Sequence, residues 1–464
     1  MNAWYDNSVF YHIYPFGELK DRNTVMRLDD MTRSLVPYLH DMGFTAVYLG
    51  PVWKSSSHGY DTIDYLMVDD RLGTNDDLYW FVKACHDCGI RVILDAVFNH
   101  VGPEFPGYRD VVEKKESSPY WQWFRSVRRH RQTVVDTMLS WFGCPIPPEV
   151  DVGRWPGSMD LFELNLNSSE VVEYLYDVVC KWMDWFHVDG LRLDVADGLP
   201  IGFLQGLRKV TSEKNKEFYL VGELTAPGVD YRERCGEGKC DGALNYRAMG
   251  AIVESLQEQT LRHYATCMDY EFGNDGRYQG LSLYGFLENH DTDRVASRLS
   301  RLDLHLAYAL MFVSPGAPSV FYGGEWGAQG RNRDRSALRV YPCVDLTNGD
   351  IPTASEKNIA EDVRRLIKCR AENPELRVPF FRALEIEGEG DFCPGKDIMA
   401  FRRSESMLCV ASRMDKTCDC VIHGCQDGVY KDVLNTDTAE MTTQDGNLSV
   451  KALPGWVRVL RKIA

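Results

Sequence analysis

The sequence predicts an α/β fold: a (β/α)8 TIM barrel with an inserted subdomain after the third strand and an antiparallel β domain at the C-terminus. Three observations predict it. Short apolar, β-branched runs recur along most of the chain, many followed by longer helical patterns, and such runs mark strands buried on both faces beneath covering helices. One connection between these units is far longer than a loop tolerates. Beyond residue 376 helical patterns vanish and apolar residues alternate with polar ones, as in Ile398 to Arg402 and Trp456 to Leu460.

Eight runs qualify as strands: Val9 to Tyr14, Ala46 to Leu49, Arg91 to Asp95, Gly190 to Val195, Phe218 to Glu223, Gly242 to Tyr246, Leu283 to Glu288 and Ser319 to Tyr322. Between them, Asn75 to Cys88 reads as a helix stopped by Gly89. Ser168 is placed to cap a helix running to about His187, with Val171, Val172, Leu175, Val178, Val179, Trp182 and Trp185 on its buried side. Eight such units fit a closed barrel as well as an open sheet, and the barrel is the reading carried forward. About seventy residues, rich in Pro, Trp and Arg, separate the strand ending near Asp95 from the helix starting near Ser168, too many for a structureless loop. The chain therefore divides into barrel over 1–101, an inserted subdomain B over 102–158, barrel again over 159–376, and a β domain over 377–464. The tryptophans of the insert, Trp121, Trp123, Trp141 and Trp155, are assigned mostly to a small core of its own.

At 464 residues, 44% hydrophobic and 26% charged, the chain has the composition of a soluble globular protein with one large core. A formal charge of −16 provides no basic surplus for phosphates and argues against nucleic acid as a partner. The start, Met1 to Asp6, lacks the basic and apolar regions of a secretion signal, and no apolar stretch is long enough to cross a bilayer. A cytoplasmic protein without a membrane partner is expected. The 14 cysteines, scattered from Cys85 to Cys425 without a framework, read as reduced thiols. Cys85 and Cys88 sit within a helical pattern with no second pair at zinc spacing, so helix packing accounts for them.

In a βα barrel the residues at the C-terminal ends of the strands form the active site. The third strand ends in Asp95 and leads to Asn99 and His100. The fourth carries Arg192 and Asp194, two residues apart and hence on one face. The fifth ends at Glu223, the seventh leads to Asn289, His290 and Asp291, and the eighth to Glu325. Carboxyl groups converging on one mouth are what glycoside hydrolysis requires: one attacks the anomeric carbon and another protonates the departing oxygen. Arg192 beside Asp194 would hold that carboxylate ionised, while His100 and His290 can donate to sugar hydroxyls. A single charged residue at a strand end is more often structural, capping a helix or pairing with a neighbour. Acids at five mouths, with histidines at two, turn the reading toward catalysis.

At these residues the sequence resembles the α-amylase family of glycoside hydrolases. That family carries short motifs in a fixed order along a barrel. Here Asp95-Ala96-Val97-Phe98-Asn99-His100, Gly190 to Asp197, Val221-Gly222-Glu223-Leu224 and Phe286-Leu287-Glu288-Asn289-His290-Asp291 are similar to four of them. His58-Gly59-Tyr60-Asp61-Thr62-Ile63-Asp64-Tyr65 resembles the loop that reaches the innermost sugar site. The resemblance implies Asp194 as nucleophile, Glu223 as general acid/base and Asp291 as stabiliser of an oxocarbenium-like transition state. It implies Tyr60, Asp61, His100, Arg192 and His290 as the innermost sugar site, with Tyr60 a stacking platform, and cleavage of α-bonds with retention.

Within the family, Phe105 to Val111 and Ser118 to Phe124 are most similar to the cyclomaltodextrinase, neopullulanase and maltogenic amylase branch. That branch usually carries an extra N-terminal domain, and with the first strand beginning near Val9 this sequence is read as lacking it. Gly198, Leu224-Thr225 and Gly324 depart from the branch at positions on the leaving-group side of the cleft. Many amylases hold a calcium ion with an Asn like Asn99 and a His after the second motif. Gly198-Leu199-Pro200 stands there instead, and Asp21-Arg22-Asn23 lacks the alternating acids of a calcium loop, so no cofactor and no essential metal are expected. The expected substrates are maltooligosaccharides, cyclodextrins or related short α-glucans. A transglycosylase, or an α-glucosidase for small sugars such as sucrose or isomaltose, would use the same acids. A non-catalytic sugar-binding barrel is the reading from another class, against which the three intact acids stand. Bond preference and oligomeric state are left open by the sequence.

Overall fold

The computed structural model describes residues 3–17, 25–129, 149–331, 357–388, 392–436 and 439–464. All eight expected runs form strands: β1 (Phe10–Ile13), β2 (Ala46–Leu49), β3 (Arg91–Ala96), β4 (Gly190–Leu193), β5 (Tyr219–Gly222), β6 (Gly242–Ala243), β7 (Tyr284–Gly285) and β8 (Ala317–Phe321). They lie in one parallel sheet ordered β6-β5-β4-β3-β2-β1-β8-β7. A parallel bridge between Leu244 and Tyr284 joins its two ends, which decides for the barrel over the open sheet. Inside, Phe10, Ala46, Tyr48, Ile93, Tyr219, Val221, Leu244, Tyr284, Phe286 and Ala317 form one buried cluster, so the barrel is filled and is not a pore. Closure requires glycine at position 242: a Cβ there would lie 1.8 Å from the carbonyl oxygen of Ser282.

The barrel wall is built by α1 (Val36–Met42), α2 (Asn75–Asp87), α3 (Ser169–Phe186), α4 (Ile201–Lys214), α5 (Tyr246–Gln257), α6 (Arg262–Phe272), α7 (Arg301–Val313) and α8 (Ala360–Glu372). β5 is followed only by a single 3-10 turn, Tyr231–Glu233, so one of the eight units lacks its α-helix. α2 starts in a capping box between Thr74 and Asp77, and Gly89 follows it with φ +73°. Ser168 does occupy the N-cap position of α3, but its side chain makes no capping hydrogen bond. Of the expected apolar stripe of α3, Val171, Leu175, Val178, Val179 and Trp182 are buried, while Val172 is half-buried. In the last turn burial passes to Met183 and Phe186, leaving Trp185 44% exposed.

At the base of the insert His100–Val101 pairs with Phe162–Glu163; within it a helix spans Pro106–Lys114, and Arg128–Arg129 pairs with Val150–Asp151. Trp121 and Trp123 pack half-buried against the main core of the molecule, not in a core separate from it. Trp141 and Asp21-Arg22-Asn23 lie outside the described residues. The described cysteines, Cys85 and Cys88 among them, are free thiols. No helix among the described residues is long and apolar enough to cross a membrane.

C-terminal to the barrel, six antiparallel strands (Arg382–Leu384, Ile398–Ser404, Met407–Ser412, Trp456–Lys462, Val429–Asp432 and Glu440–Thr442, in spatial order) face a three-stranded sheet of Ile386–Gly388, Cys418–Ile422 and Leu448–Ala452. Ile398, Leu408, Ile422, Leu448 and Leu460 fill the space between them. Arg403 fastens this unit to the barrel: fully buried, it donates to the carbonyls of Val313 at 2.6 Å, Val378 at 2.8 Å and Leu376 at 2.9 Å.

Because the added methyl at position 242 meets backbone and not a movable side chain, Gly242→Ala is expected to cost about 3 kcal/mol of stability. Chemical denaturation would show a lowered midpoint, and an unchanged midpoint would contradict this account of closure.

Candidate active site

The pleat of β4 sends Arg192 and Asp194 into the barrel together, as their spacing required. Arg192 is 1% exposed and is the hub of the site. Its Nη1 lies 2.7 Å from Asp194 Oδ1 and 2.8 Å from Asp95 Oδ1, and its Nη2 lies 2.6 Å from Glu223 Oε1. The sequence reading gave this guanidinium to Asp194 alone; the fold divides it among three acids from β3, β4 and the end of β5. Burial pushes Asp194 well above the ordinary carboxylate range, with Arg192 opposing and the charges of Glu223 and Asp95 adding to the rise.

Asp95, counted in the sequence among the acids of the barrel mouth without a role of its own, is a second junction. It accepts from Tyr48 at 2.7 Å and Tyr60 at 2.9 Å through Oδ2. Burial raises both phenols well above their ordinary value, so each keeps its proton and donates. With the Tyr60 proton on Asp95, the 2.6 Å contact between Tyr60 Oη and His290 Nε2 is donated by the imidazole. The same nitrogen lies 3.1 Å from Asp291 Oδ2. His290 is near-parallel to both Tyr14, 5.3 Å away, and Tyr60, 5.2 Å away, and Tyr60 also faces the Arg192 guanidinium at 5.9 Å.

Asp194 and Glu223 are buried, whereas the Asp291 side chain is 43% exposed and stands at the rim. His100 is buried, and burial pulls it down to about 4, so it is neutral at pH 7; its ring lies 6.0 Å from Trp155 of the insert. Asp61 is buried in the loop that carries Tyr60. It turns back into its own loop, accepting from Ser57 Oγ at 2.8 Å and from the His58 amide at 3.1 Å. Glu325, read from the sequence as an acid of the barrel mouth, is a correction. It is buried outside the barrel, accepting from Tyr11 at 2.8 Å and from Tyr38 of α1 at 3.2 Å, and burial pushes it up to about 7. Following a strand places a residue near the mouth, but the turn after β8 decides where it points.

Two further groups belong to the site. Val195, directly after Asp194, has φ +49°, a left-handed conformation that a β-branched residue resists. The strain aims its amide at Glu223 Oε2, 3.2 Å away. Tyr246, at the start of α5, donates to Glu223 Oε1 at 3.1 Å. A polar residue closing the sixth strand run was the only sequence signal for it.

Asn99 Oδ1 lies 3.3 Å from where a Cβ on Gly198 would stand. Among the described residues no group of three or more His, Cys, Asp or Glu could hold a metal ion.

Residues 22–381 match the family described as alpha amylase, catalytic domain. Maltogenic alpha-amylase of Bacillus acidopullulyticus is 29% identical over 420 residues, covering 88% of this chain and 64% of that protein. Intracellular maltogenic amylase of Bacillus subtilis is 31% identical over 301 residues, covering 64% of this chain and 48% of that protein. The chain thus spans less than two thirds of the length of either relative. The structure of a cyclomaltodextrinase superposes with a TM-score of 0.81 over 99% of this chain and 78% of that one; at 23% identity this is a likeness of fold. With more than half of its residues inside the family's catalytic domain and the carboxylates assembled as described, the chain belongs to the α-amylase family.

Proposed function

We propose that the protein is a retaining glycoside hydrolase that cleaves α-glucosidic bonds in maltooligosaccharides, cyclodextrins or related short α-glucans. The observation that carries this is one guanidinium gripping Asp194 and Glu223 at 2.7 and 2.6 Å. Two carboxyls held by adjacent nitrogens of one Arg stay close together. This supports the separation of about 5–5.5 Å that suits a covalent intermediate over the wider gap an inverting enzyme leaves for water.

In this reading Asp194 attacks the anomeric carbon as Glu223 gives its proton to the departing glycosidic oxygen. A glycosyl ester on Asp194 results. Glu223, now a carboxylate, then takes a proton from a water that attacks the same carbon, releasing Asp194 and returning the proton. Asp291 at the rim accepts from sugar hydroxyls as positive charge grows on the ring, and His100, His290 and Tyr60 shape the innermost sugar site, with Asp61 bracing its loop. The names of the relatives support short α-glucans as substrates, and that of the Bacillus subtilis protein supports a cytoplasmic location. No step calls for a metal.

Purified protein offered maltotriose, pullulan, γ-cyclodextrin, sucrose and isomaltose separately is expected to release glucose and maltose from the first three. Asp194→Asn is expected to release none. Longer products would make it a transglycosylase, and cleavage of sucrose or isomaltose alone a small-sugar glucosidase. No product from any of them would sink the proposal.

The nucleophile must be ionised, and burial raises Asp194. Lowering the pH therefore protonates it sooner than a free aspartate, and the acid limb of kcat/KM is expected above the ordinary aspartate value of about 3.9. A limb at or below that value would contradict the assignment. Prolonged dialysis against EDTA is expected to leave turnover of maltotriose unchanged, and loss of activity restored by calcium would overturn the metal-free reading.

A further inference from the structure

Glu223 is held from three directions. Arg192 Nη2 and the Tyr246 hydroxyl reach Oε1, at 2.6 and 3.1 Å, and the Val195 amide reaches Oε2 at 3.2 Å. Arg192 is shared with two other acids and the Val195 donor is a backbone amide, so among the described residues Tyr246 is the side-chain donor that serves Glu223 alone among acids. Its own position is strongly determined. Asn245 caps α5 by accepting from the Ala248 amide at 3.0 Å, and its Nδ2 is held at 2.8 Å by Glu271, buried under the helices. That lock sets the first residue of the helix, and the Tyr246 ring stands edge-on to Phe286 at 4.9 Å.

The hydroxyl also accepts from Asn289 Nδ2 at 2.8 Å, while Asn289 Oδ1 accepts from the Asp291 amide at 3.0 Å. A continuous chain of hydrogen bonds therefore runs from the backbone of Asp291 through Asn289 and Tyr246 to Glu223. It links the segments after β5, β6 and β7. With Asn289 donating to its oxygen, the Tyr246 hydroxyl directs its own proton to Glu223.

We propose that Tyr246 is a positioning residue for the acid/base Glu223: it fixes which carboxyl oxygen faces the glycosidic oxygen and tunes how readily that carboxyl releases its proton. The proposal rests on the acid/base role of Glu223 given above. Besides Tyr246, the ionisable groups around this carboxyl are Arg192 and Asp194 of β4, Asp95 of β3, Tyr48 of β2 and Asp291 at the rim. Burial raises Tyr246 well above the ordinary phenol value, so it remains a donor across the working range. A donor to the carboxylate favours the ionised form; removing it favours the protonated form, so the alkaline limb must move upward.

Tyr246→Phe in the full chain removes the hydroxyl and keeps the ring. With maltotriose, kcat is expected to fall on the order of tenfold with KM changed less than about twofold. The alkaline limb of the pH profile is expected to rise by about one unit, the size of one lost hydrogen bond to a charged group. α-Maltosyl fluoride, whose leaving group needs no proton, is expected to form the glycosyl-enzyme in the variant at close to the wild-type rate. Equal losses on both substrates, or a limb that stays in place, would overturn the proposal and make Tyr246 a substrate contact or a structural residue. Glu223→Gln run alongside separates the two claims. If it keeps maltotriose activity, the acid/base role itself falls and the positioning role with it. If it loses maltotriose activity but forms the glycosyl-enzyme from the fluoride, a normal Tyr246→Phe profile sinks the positioning role alone.

Discussion

Arg192 is a charge with almost no access to water, and taking an ion of that kind out of solvent costs several kcal/mol unless other charges compensate. Compensation comes from Asp95, Asp194 and Glu223, each within 2.8 Å of a guanidinium nitrogen and each carried by a different strand or strand end. The arrangement is self-consistent in one direction only. Without the arginine, three acids would crowd a low-dielectric space and take up protons; without the acids, the arginine could not be buried. The barrel interior below, packed with Tyr48, Tyr219, Tyr284 and Phe286, keeps water from relieving either situation.

A cluster with more carboxyls than guanidinium charge cannot hold all of them ionised cheaply, and that surplus suits acid/base work. The rise of Asp194 and the conjugate demands of a nucleophile and an acid are two views of the same electrostatic balance. Around the cluster the protein spends strain and hydrogen bonds on orientation. Val195 keeps a left-handed backbone because the flanking amides are fixed, that of Asp194 to Ala96 O at 3.1 Å and that of Ala196 to Glu223 O at 2.9 Å. These two bonds tie β3, β4 and the end of β5 at the level of the reacting groups. Tyr60, shared between Asp95 and His290, extends the same network to the rim where Asp291 stands.

Much of this was legible before folding. Runs such as Ala46 to Leu49 and Gly190 to Leu193 have one stable use, as strands buried on both faces, and they form where expected. The two-residue spacing of Arg192 and Asp194 fixed their shared face, because the strand period is independent of context. Misreadings fall where context rules. The helical pattern of α3 is periodic through Trp185, yet the final turn buries Phe186 instead. Glu325 has the right chemistry and the right neighbourhood in sequence, but a turn without a fixed period points it at Tyr11.

The sequence by itself determined the eight strands, their order of use, and the acids that reach the barrel mouth, because burial and periodicity are local properties of a chain. Only the tertiary structure decided that the sheet closes, through the Leu244–Tyr284 bridge beside a glycine with no room for a side chain. Only it decided that one guanidinium serves three carboxyls, and that Tyr246 and Asn289 join Glu223 to the segment of Asp291. Apart from Arg192–Asp194 and Asn289–Asp291, those contacts join residues 23 to 97 positions apart. Their distances depend on strand register and helix placement, which no short stretch of sequence contains.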